Sequence, residues 1–342
     1  MPIRAACGPV WVERELSRGS GKISWKSAFM ANSGPDSARS AVLLGLKGAC
    51  MGAADTVPGV SGGTIALITG IYEDLLAAVK SVNLRAIGRL LRLDIKGAAA
   101  EVHLRFLLCL FFGIGLAVIS LAHLMNYLLA HHPVPTWSLF FGLIAASIWA
   151  VGRKVETWSA AAAAAFCIGA VGAYLVVGMM PARTPETLGF VFLSGMLAVC
   201  AMILPGLSGA FILLILGKYE FILSVLENPF LLEHMAVLGV LAAGCAVGLA
   251  GFARVLKFLL DRYHNSALAF LTGLMLGSMR KIWPWKEPAV TEEIHGKLMV
   301  IQEKNVLPDS LWPEPAFAAL LMTAGFVLVI GLGLLSRTSP AD

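Results

Sequence analysis

The chain has 342 residues, of which 58% are hydrophobic and 14% are charged, and its mean hydropathy is +0.80. Soluble domains average about 45–50% apolar and about 25% charged residues, so this chain has too little polar surface to cover a soluble core. The composition therefore predicts an integral membrane protein. A net charge of +5 bears on orientation in the membrane rather than on nucleic acid, for which we expect no role.

The first 40 residues are polar and basic and lack the apolar core of a signal peptide, which predicts a disordered cytoplasmic tail. Apolar stretches follow as far as residue 336, before a short C-terminal tail at 337–342. Four of them come as two interrupted pairs, 41–57 with 61–79 and 187–204 with 207–226. Six others approach the roughly 20 residues that a membrane span needs: 104–130, 136–152, 158–180, 235–260, 266–282 and 315–336.

Each interrupted pair is broken by the same short motif. The sequence "PGVSGGTIALITGIYEDLL" begins at Pro58, and "PGLSGAFILLILGKYEFIL" begins at Pro205. With an offset of 147, 11 of 23 positions match between 57–79 and 204–226, and the matches include Pro, Ser, Tyr and Glu. A second block, 141–147, matches 272–278. The sequence thus predicts two repeats, 41–180 and 181–336, each with one broken pair followed by three spans.

Three spans are an odd number, so the second repeat is expected to be inverted relative to the first. The predicted fold is an all-α polytopic membrane protein with two inverted-topology repeats, each a re-entrant helical hairpin followed by three transmembrane helices. Loop charges agree with the positive-inside rule. The segment 80–103 is rich in Lys and Arg, whereas 131–135 and 227–234 contain neither. Both termini are therefore expected in the cytoplasm and 283–313 outside, while 80–97 is either an interfacial amphipathic helix or an ordinary basic loop.

Non-helical backbone is tolerated inside a bilayer only where it is buried in protein or lines a cavity. Inverted repeats commonly bring such breaks together near the midplane. A helix that restarts at Ser61 or Ser208 has unpaired N–H groups with partial positive charge, which suits an anion such as phosphate. The alternative is that both motifs are tight turns outside the membrane. The predicted substrate-binding residues are Pro58, Gly59, Ser61, Gly62, Gly63, Thr64, Pro205, Gly206, Ser208 and Gly209.

Ionisable residues within apolar segments are candidates for function. Asp55 precedes the first break, and Glu73 and Glu220 are matched between the repeats, so these three are candidates for ion coupling. The alternative for the two glutamates is a structural position near helix ends, with Tyr72 and Tyr219 as interfacial aromatics.

Two arginines near the ends of spans, Arg254 and Arg280, are candidates for contacts to a phosphate. Their alternative role is to reach the lipid headgroups from a span end. The six cysteines are scattered without a C-x-x-C motif, so neither a zinc site nor a disulfide framework is expected.

The doubled motif, over about residues 41–336, resembles the bacterial polyprenyl-phosphate transporter family, formerly a domain of unknown function. The resemblance implies a transporter, not an enzyme, that returns undecaprenyl phosphate from the outer to the cytoplasmic leaflet of the bacterial inner membrane. It implies no cofactor and a polyprenyl-phosphate lipid as partner, among the membrane lipids. Alternating access and coupling to H⁺ or Na⁺ are hypotheses, and the oligomeric state stays open.

Two other functions remain as alternatives. Undecaprenyl-pyrophosphate phosphatases also have inverted re-entrant repeats and a Pro-Gly-x-Ser loop, but theirs continues with Arg-Ser-Gly. Here Ser61 is followed by two glycines, and no Arg follows the Ser in either break. The second alternative is a channel or carrier for small anions.

Overall fold

The computed structural model describes residues 34–56, 61–82, 84–182, 184–294, 297–308 and 313–337. Most of the expected N-terminal tail lies outside these ranges. Pro58 and Gly59 of the first break and residues 338–342 also lie outside them.

Within the described residues, the first half of the chain is helical. A broken segment of short helices leads, through two further short helices, into three long ones. In chain order they are α1 (Ala38–Asp55), α2 (Gly62–Ile68), α3 (Tyr72–Ser81), α4 (Leu84–Leu91), α5 (Ile95–Glu101), α6 (Leu104–His131), α7 (Pro133–Gly152) and α8 (Ala160–Val177).

The second half repeats this order without counterparts of α4 and α5, and it adds a β-hairpin before its last helix. Its elements are α9 (Leu188–Ile203), α10 (Gly209–Ile215), α11 (Tyr219–Glu227), α12 (Leu232–Arg262), α13 (His264–Ser278), β1 (Lys286–Ile294), β2 (Lys297–Asn305) and α14 (Glu314–Arg337).

The antiparallel hairpin pairs Lys286 with Asn305 and Ile294 with Lys297. The all-α expectation therefore omitted one element, in the segment expected outside the membrane. Outside the bilayer core, water can satisfy a backbone that is not helical, so apolar helix patterns do not govern this segment.

Five helices in the described part of the chain are long and apolar enough to cross a membrane: α6, α7, α8, α12 and α14. The count is up to seven if each bent pair of short helices is one span. The stretch 266–282, expected as a sixth ordinary span, contains the shorter helix α13. Most of α13 is buried, so protein rather than lipid surrounds it and its length need not match the bilayer.

The apolar stretch that follows each break, 61–79 or 207–226, is itself bent. The direction of the chain changes by 117° between α2 and α3 and by 109° between α10 and α11. Gly70 and Gly217 lie at these bends with φ of +75° and +61°, a conformation that glycine adopts without steric cost. The stretches 61–79 and 207–226 are thus not continuous helices.

Long helices pack in close pairs, and the same positions meet in both halves. In α7, Gly142 lies against the backbone of Met322 in α14. Its repeat counterpart, Gly273 of α13, lies against the backbone of Phe166 in α8. Such small residues let helix backbones approach closely, which is how helices commonly associate in a bilayer.

The contact between α1 and α6 in the first half likewise corresponds to the contact between α9 and α12 in the second half. Gly48 of α1 contacts Leu110 of α6, and Gly195 of α9 contacts Leu241 of α12. The two halves therefore pack their helices in the same way. In each of these pairs the two helices are parallel.

The two short helices that follow the breaks run towards opposite ends of the bundle. Lys154 Nζ, just after the end of α7, donates to the carbonyl of Leu67 at the end of α2 (3.2 Å). Beyond the far end of α8, the N–H of Ala182 donates to the carbonyl of Ile215 at the end of α10 (2.7 Å). We call the end where α8 and α13 terminate and β1 begins the hairpin end, and the other the opposite end.

Candidate substrate site

The two breaks meet inside the bundle. The N–H of Gly206 in the second break donates to Thr64 Oγ1 in α2 at 3.1 Å. Ser61 Oγ lies 3.4 Å from the carbonyls of both Met202 and Leu204. Thr64 and Ser61 are buried, so residues more than 140 positions apart satisfy each other's polar groups away from solvent.

A tyrosine from the first half adds another bond between the halves. The hydroxyl of Tyr72 donates to the carbonyl of Ile203 at 2.9 Å, and the side chain is 2% exposed. The interfacial interpretation of Tyr72 is therefore wrong, because its hydroxyl finds a partner inside the bundle. Its counterpart, Tyr219, is 37% exposed.

The first turn of α2 already holds the carboxyl group of Asp55. Asp55 Oδ1 accepts from the N–H of Gly62 at 2.6 Å, and Ser61 Oγ accepts from the N–H of Gly63 at 3.2 Å. The donors that the sequence offered to a phosphate are thus occupied by the chain itself. Ser61 is therefore the N-cap of α2.

The second break is different. The side chain of Ser208 makes no capping bond to α10. Gly209 packs against Met202 and Ala198, and Gly206 packs against α13, where a Cβ would lie 2.6 Å from Ser278 Oγ. Gly206 has φ of +88°, so both its conformation and its close approach require glycine. Pro205, beside it, is fully buried.

The three candidate coupling residues occupy different environments. Asp55 contacts the first break, whereas Glu73 lies 3.9 Å from Lys257 of α12 with half of its side chain exposed. Glu220 is exposed in the first turn of α11. Among the three, the structure brings only Asp55 into contact with the break.

The two candidate arginines also separate. Arg254 is exposed and donates to the carbonyl of Ala250 on its own helix. Arg280 lies at the hairpin end, where it donates to the carbonyl of Tyr174 at 3.2 Å and stacks 4.5 Å from that ring's centre. It lines a cleft of about 600 Å³ together with aromatic side chains that include Phe141 and Trp283.

A smaller hollow of about 40 Å³ shares Arg280 with the cleft and adds Lys281 and Lys286. Both lysines face one carboxylate oxygen of Glu303 on β2, at 3.2 and 3.4 Å. Burial lowers the pKa of Lys286 to about 8, although Glu303 opposes the change. Burial alone would raise the pKa of Glu303, but Lys286 and Lys281 more than offset it, so that pKa is lowered.

The sequence made Arg280 a candidate, but it did not single out Lys281, Lys286 or Glu303, which line the same hollow. The available signal was the run "RKIWPWK" at 280–286, which mixes basic and tryptophan residues at the end of an apolar helix. Glu303 had no such signal, because only the pairing of β1 with β2 brings it to the lysines. No group of three or more possible metal ligands occurs in the residues that the structure describes.

Helices of membrane-spanning length, with two broken segments that meet in the bundle, define a polytopic helical membrane protein. The chain belongs to the VCA0040-like family, described as undecaprenyl phosphate translocase-like, whose sequence profile matches residues 51–299.

Two relatives are named polyprenyl-phosphate transporter. The protein from Vibrio cholerae serotype O1 is 41% identical over 294 residues, which cover 84% of this chain and 94% of the relative. The protein from Staphylococcus aureus is 31% identical over 255 residues, which cover 70% of this chain and 85% of the relative. No solved structure matches the chain.

Proposed function

We propose that this protein transports a polyprenyl phosphate, moving undecaprenyl phosphate from the outer to the cytoplasmic leaflet of the bacterial inner membrane. Two relatives that align over most of this chain carry the name polyprenyl-phosphate transporter. The observation that carries the proposal is the hydrogen bond between Gly206 and Thr64. It joins two breaks whose following helices run to opposite ends of the bundle, as expected for two hairpins that enter the membrane from opposite faces.

The transport problem is the phosphate head, because an unpaired charge in a low-dielectric core costs many kcal/mol. The long hydrocarbon tail can stay in lipid throughout. The first N–H groups of α10, which receive no capping bond from Ser208, are the donors that the meeting of the breaks offers to the head. The head therefore crosses the bundle beside residues 61–64 and 205–209.

Asp55 links this path to ion coupling. Its carboxylate holds the N–H of Gly62 and would repel an approaching phosphate. Protonation of Asp55, or its pairing with Na⁺, weakens that repulsion and frees the donor. Binding of H⁺ or Na⁺ at Asp55 would thus favour binding of the lipid phosphate, which is how the two could be transported together.

Alternating access is supported by an asymmetry between the halves. In the first half, the bent segment formed by α2 and α3 contacts the second half, since α3 packs against α12. In the described residues, α11 makes no comparable packing against α6. We interpret this conformation as closed at the opposite end and more open at the hairpin end, which the loop charges place outside.

The test is translocation of a fluorescent polyprenyl phosphate in proteoliposomes, followed by a quencher that reaches only the outer leaflet. We expect protein-dependent loss of protected signal for the lipid phosphate and little for the corresponding alcohol. Imposed H⁺ and Na⁺ gradients, each alone, identify the coupling ion. Release of inorganic phosphate from the pyrophosphate lipid would instead indicate a phosphatase, and equal competition by inorganic phosphate would indicate a small-anion carrier.

A further inference from the structure

We propose that Arg280, Lys281 and Lys286 form a binding site for the phosphate monoester head of a lipid at the hairpin end, and that Glu303 occupies this site as an internal competing anion. This inference rests on the proposed function and assigns its entry site to residues outside both breaks. It begins from the smaller hollow, which all four side chains line.

The charges in the hollow are not balanced. Three cationic residues line the hollow together with one described carboxylate, and both lysines share a single oxygen of it. A phosphate monoester has more acceptor oxygens and more negative charge than a carboxylate, so it can pair with all three cations at once. Arg280 supplies the planar fork that suits phosphate, and the lysines supply point charges.

Lys286 is the residue that points most directly to an anionic ligand. Its side chain is 7% exposed, and its Nζ lies over the ring of Trp137 at 3.8 Å from the centre. The Nζ is within ion-pair distance of Glu303 but has no hydrogen-bond partner among the described residues. A buried ammonium group without a hydrogen bond is costly, and an incoming acceptor would remove that cost.

The hollow lies beside the path that was proposed for the head. Lys281 Nζ lies 5.4 Å from the ring centre of Phe211, in the first turn of α10. Ser278, two residues before Arg280, contacts Gly206 of the second break. A head released from the hollow therefore reaches the second break along the end of α13.

The surroundings also suit a lipid rather than a free anion. Met179 lines the hollow and Leu276 lines the cleft, and both side chains are exposed on a helical bundle that lies in a membrane. A prenyl chain attached to the head can leave over these residues. The chemistry is that of an amphiphile with a single phosphate, while inorganic phosphate shares only the head.

The experiment measures binding of farnesyl phosphate to the purified full chain in detergent, through the fluorescence of the tryptophans near the hollow. Farnesol and inorganic phosphate serve as competitors. We expect Arg280→Gln and Lys286→Gln to weaken binding by about tenfold, the effect of losing one charged hydrogen bond, and Lys286→Arg to retain most of it. Glu303→Gln should bind roughly two- to fivefold more tightly, because it removes a partly exposed competing anion.

The opposite sign for Glu303 separates a binding site from a structural ion-pair cluster, in which all of these substitutions would weaken binding or folding. Arg153→Gln and Glu156→Gln, exposed positions at the opposite end, control for the change in charge. Stronger competition by farnesyl phosphate than by inorganic phosphate supports a lipid ligand, and equal competition contradicts it.

Wild-type binding by Arg280→Gln and Lys286→Gln, or weaker binding by Glu303→Gln, would overturn the site. If the wild type still translocates polyprenyl phosphate in proteoliposomes, the proposed function survives that result. Absence of translocation by the wild type contradicts the function itself.

Discussion

The hydroxyl of Tyr72 donates to the backbone carbonyl of Ile203 at 2.9 Å, and so a side chain at the first bend secures the end of α9 in the other half. The same position in the second repeat, Tyr219, has an exposed side chain. Two residues that the repeat makes equivalent thus have different roles in this conformation.

Removal of the hydroxyl tests that difference. We expect Tyr72→Phe to lower the free energy of unfolding by about 1–3 kcal/mol, because the buried carbonyl of Ile203 loses a partner. Tyr219→Phe is the matched control and should change stability little. Thermal unfolding of the two variants in the same detergent measures the difference, and equal effects would show that the bond contributes nothing specific.

The conformation and the close contact of Gly206 can be tested separately from each other. Gly206→Ala combines a positive φ with a Cβ placed 2.6 Å from Ser278 Oγ, whereas Gly70→Ala has a positive φ and open space. The unfavourable φ alone costs about 1–2 kcal/mol, so Gly206→Ala should destabilise clearly more than Gly70→Ala. Thermal unfolding and translocation rates are measured for both variants. Equal stability of Gly206→Ala and Gly70→Ala would contradict the claim that the close approach to Ser278 requires glycine.

Asp55 has a structural bond and a proposed coupling role, and two substitutions separate them. Asp55→Asn keeps an acceptor for the N–H of Gly62 but cannot ionise, so we expect near-normal stability with translocation that no longer responds to the ion gradient. Asp55→Ala loses the acceptor as well and should also lower the melting temperature. Gradient-driven translocation by Asp55→Asn at the wild-type rate would exclude coupling through this residue.

Lys286 predicts a pH dependence of lipid binding. Its lowered pKa of about 8 means that the ammonium is present below pH 8 and is lost as the pH rises through that value. Affinity for farnesyl phosphate should therefore fall across this range, while Glu303, whose pKa is lowered, stays ionised. Lys286→Arg remains charged and should flatten the profile between pH 7 and 9, which binding titrations at constant ionic strength would detect.

The candidate and proposed binding residues show how much can be predicted from local sequence. The two Pro-Gly motifs were recognised as repeats of each other from their matching residues. Asp55 became a candidate because it is a charged residue in an apolar segment. The occupation of Gly62 by Asp55 was not predicted, because it depends on how the chain turns between α1 and α2. Lys281, Lys286 and Glu303 were missed because their shared site exists only once the hairpin folds back onto α13.

The membrane class, the positions of both breaks and the internal repeat could be read from the amino-acid sequence alone. Hydropathy, proline and glycine influence the structure of only the few residues around them, so their effect can be predicted locally. The repeat is recognised from identical residues at a constant offset in the sequence. Tertiary packing was needed to show that Thr64 bonds to Gly206, that Tyr72 is buried while Tyr219 is not, and that Lys281 and Lys286 both lie within ion-pair distance of Glu303. These depend on contacts between distant segments, and the packing that selects them acts differently on two copies of one motif.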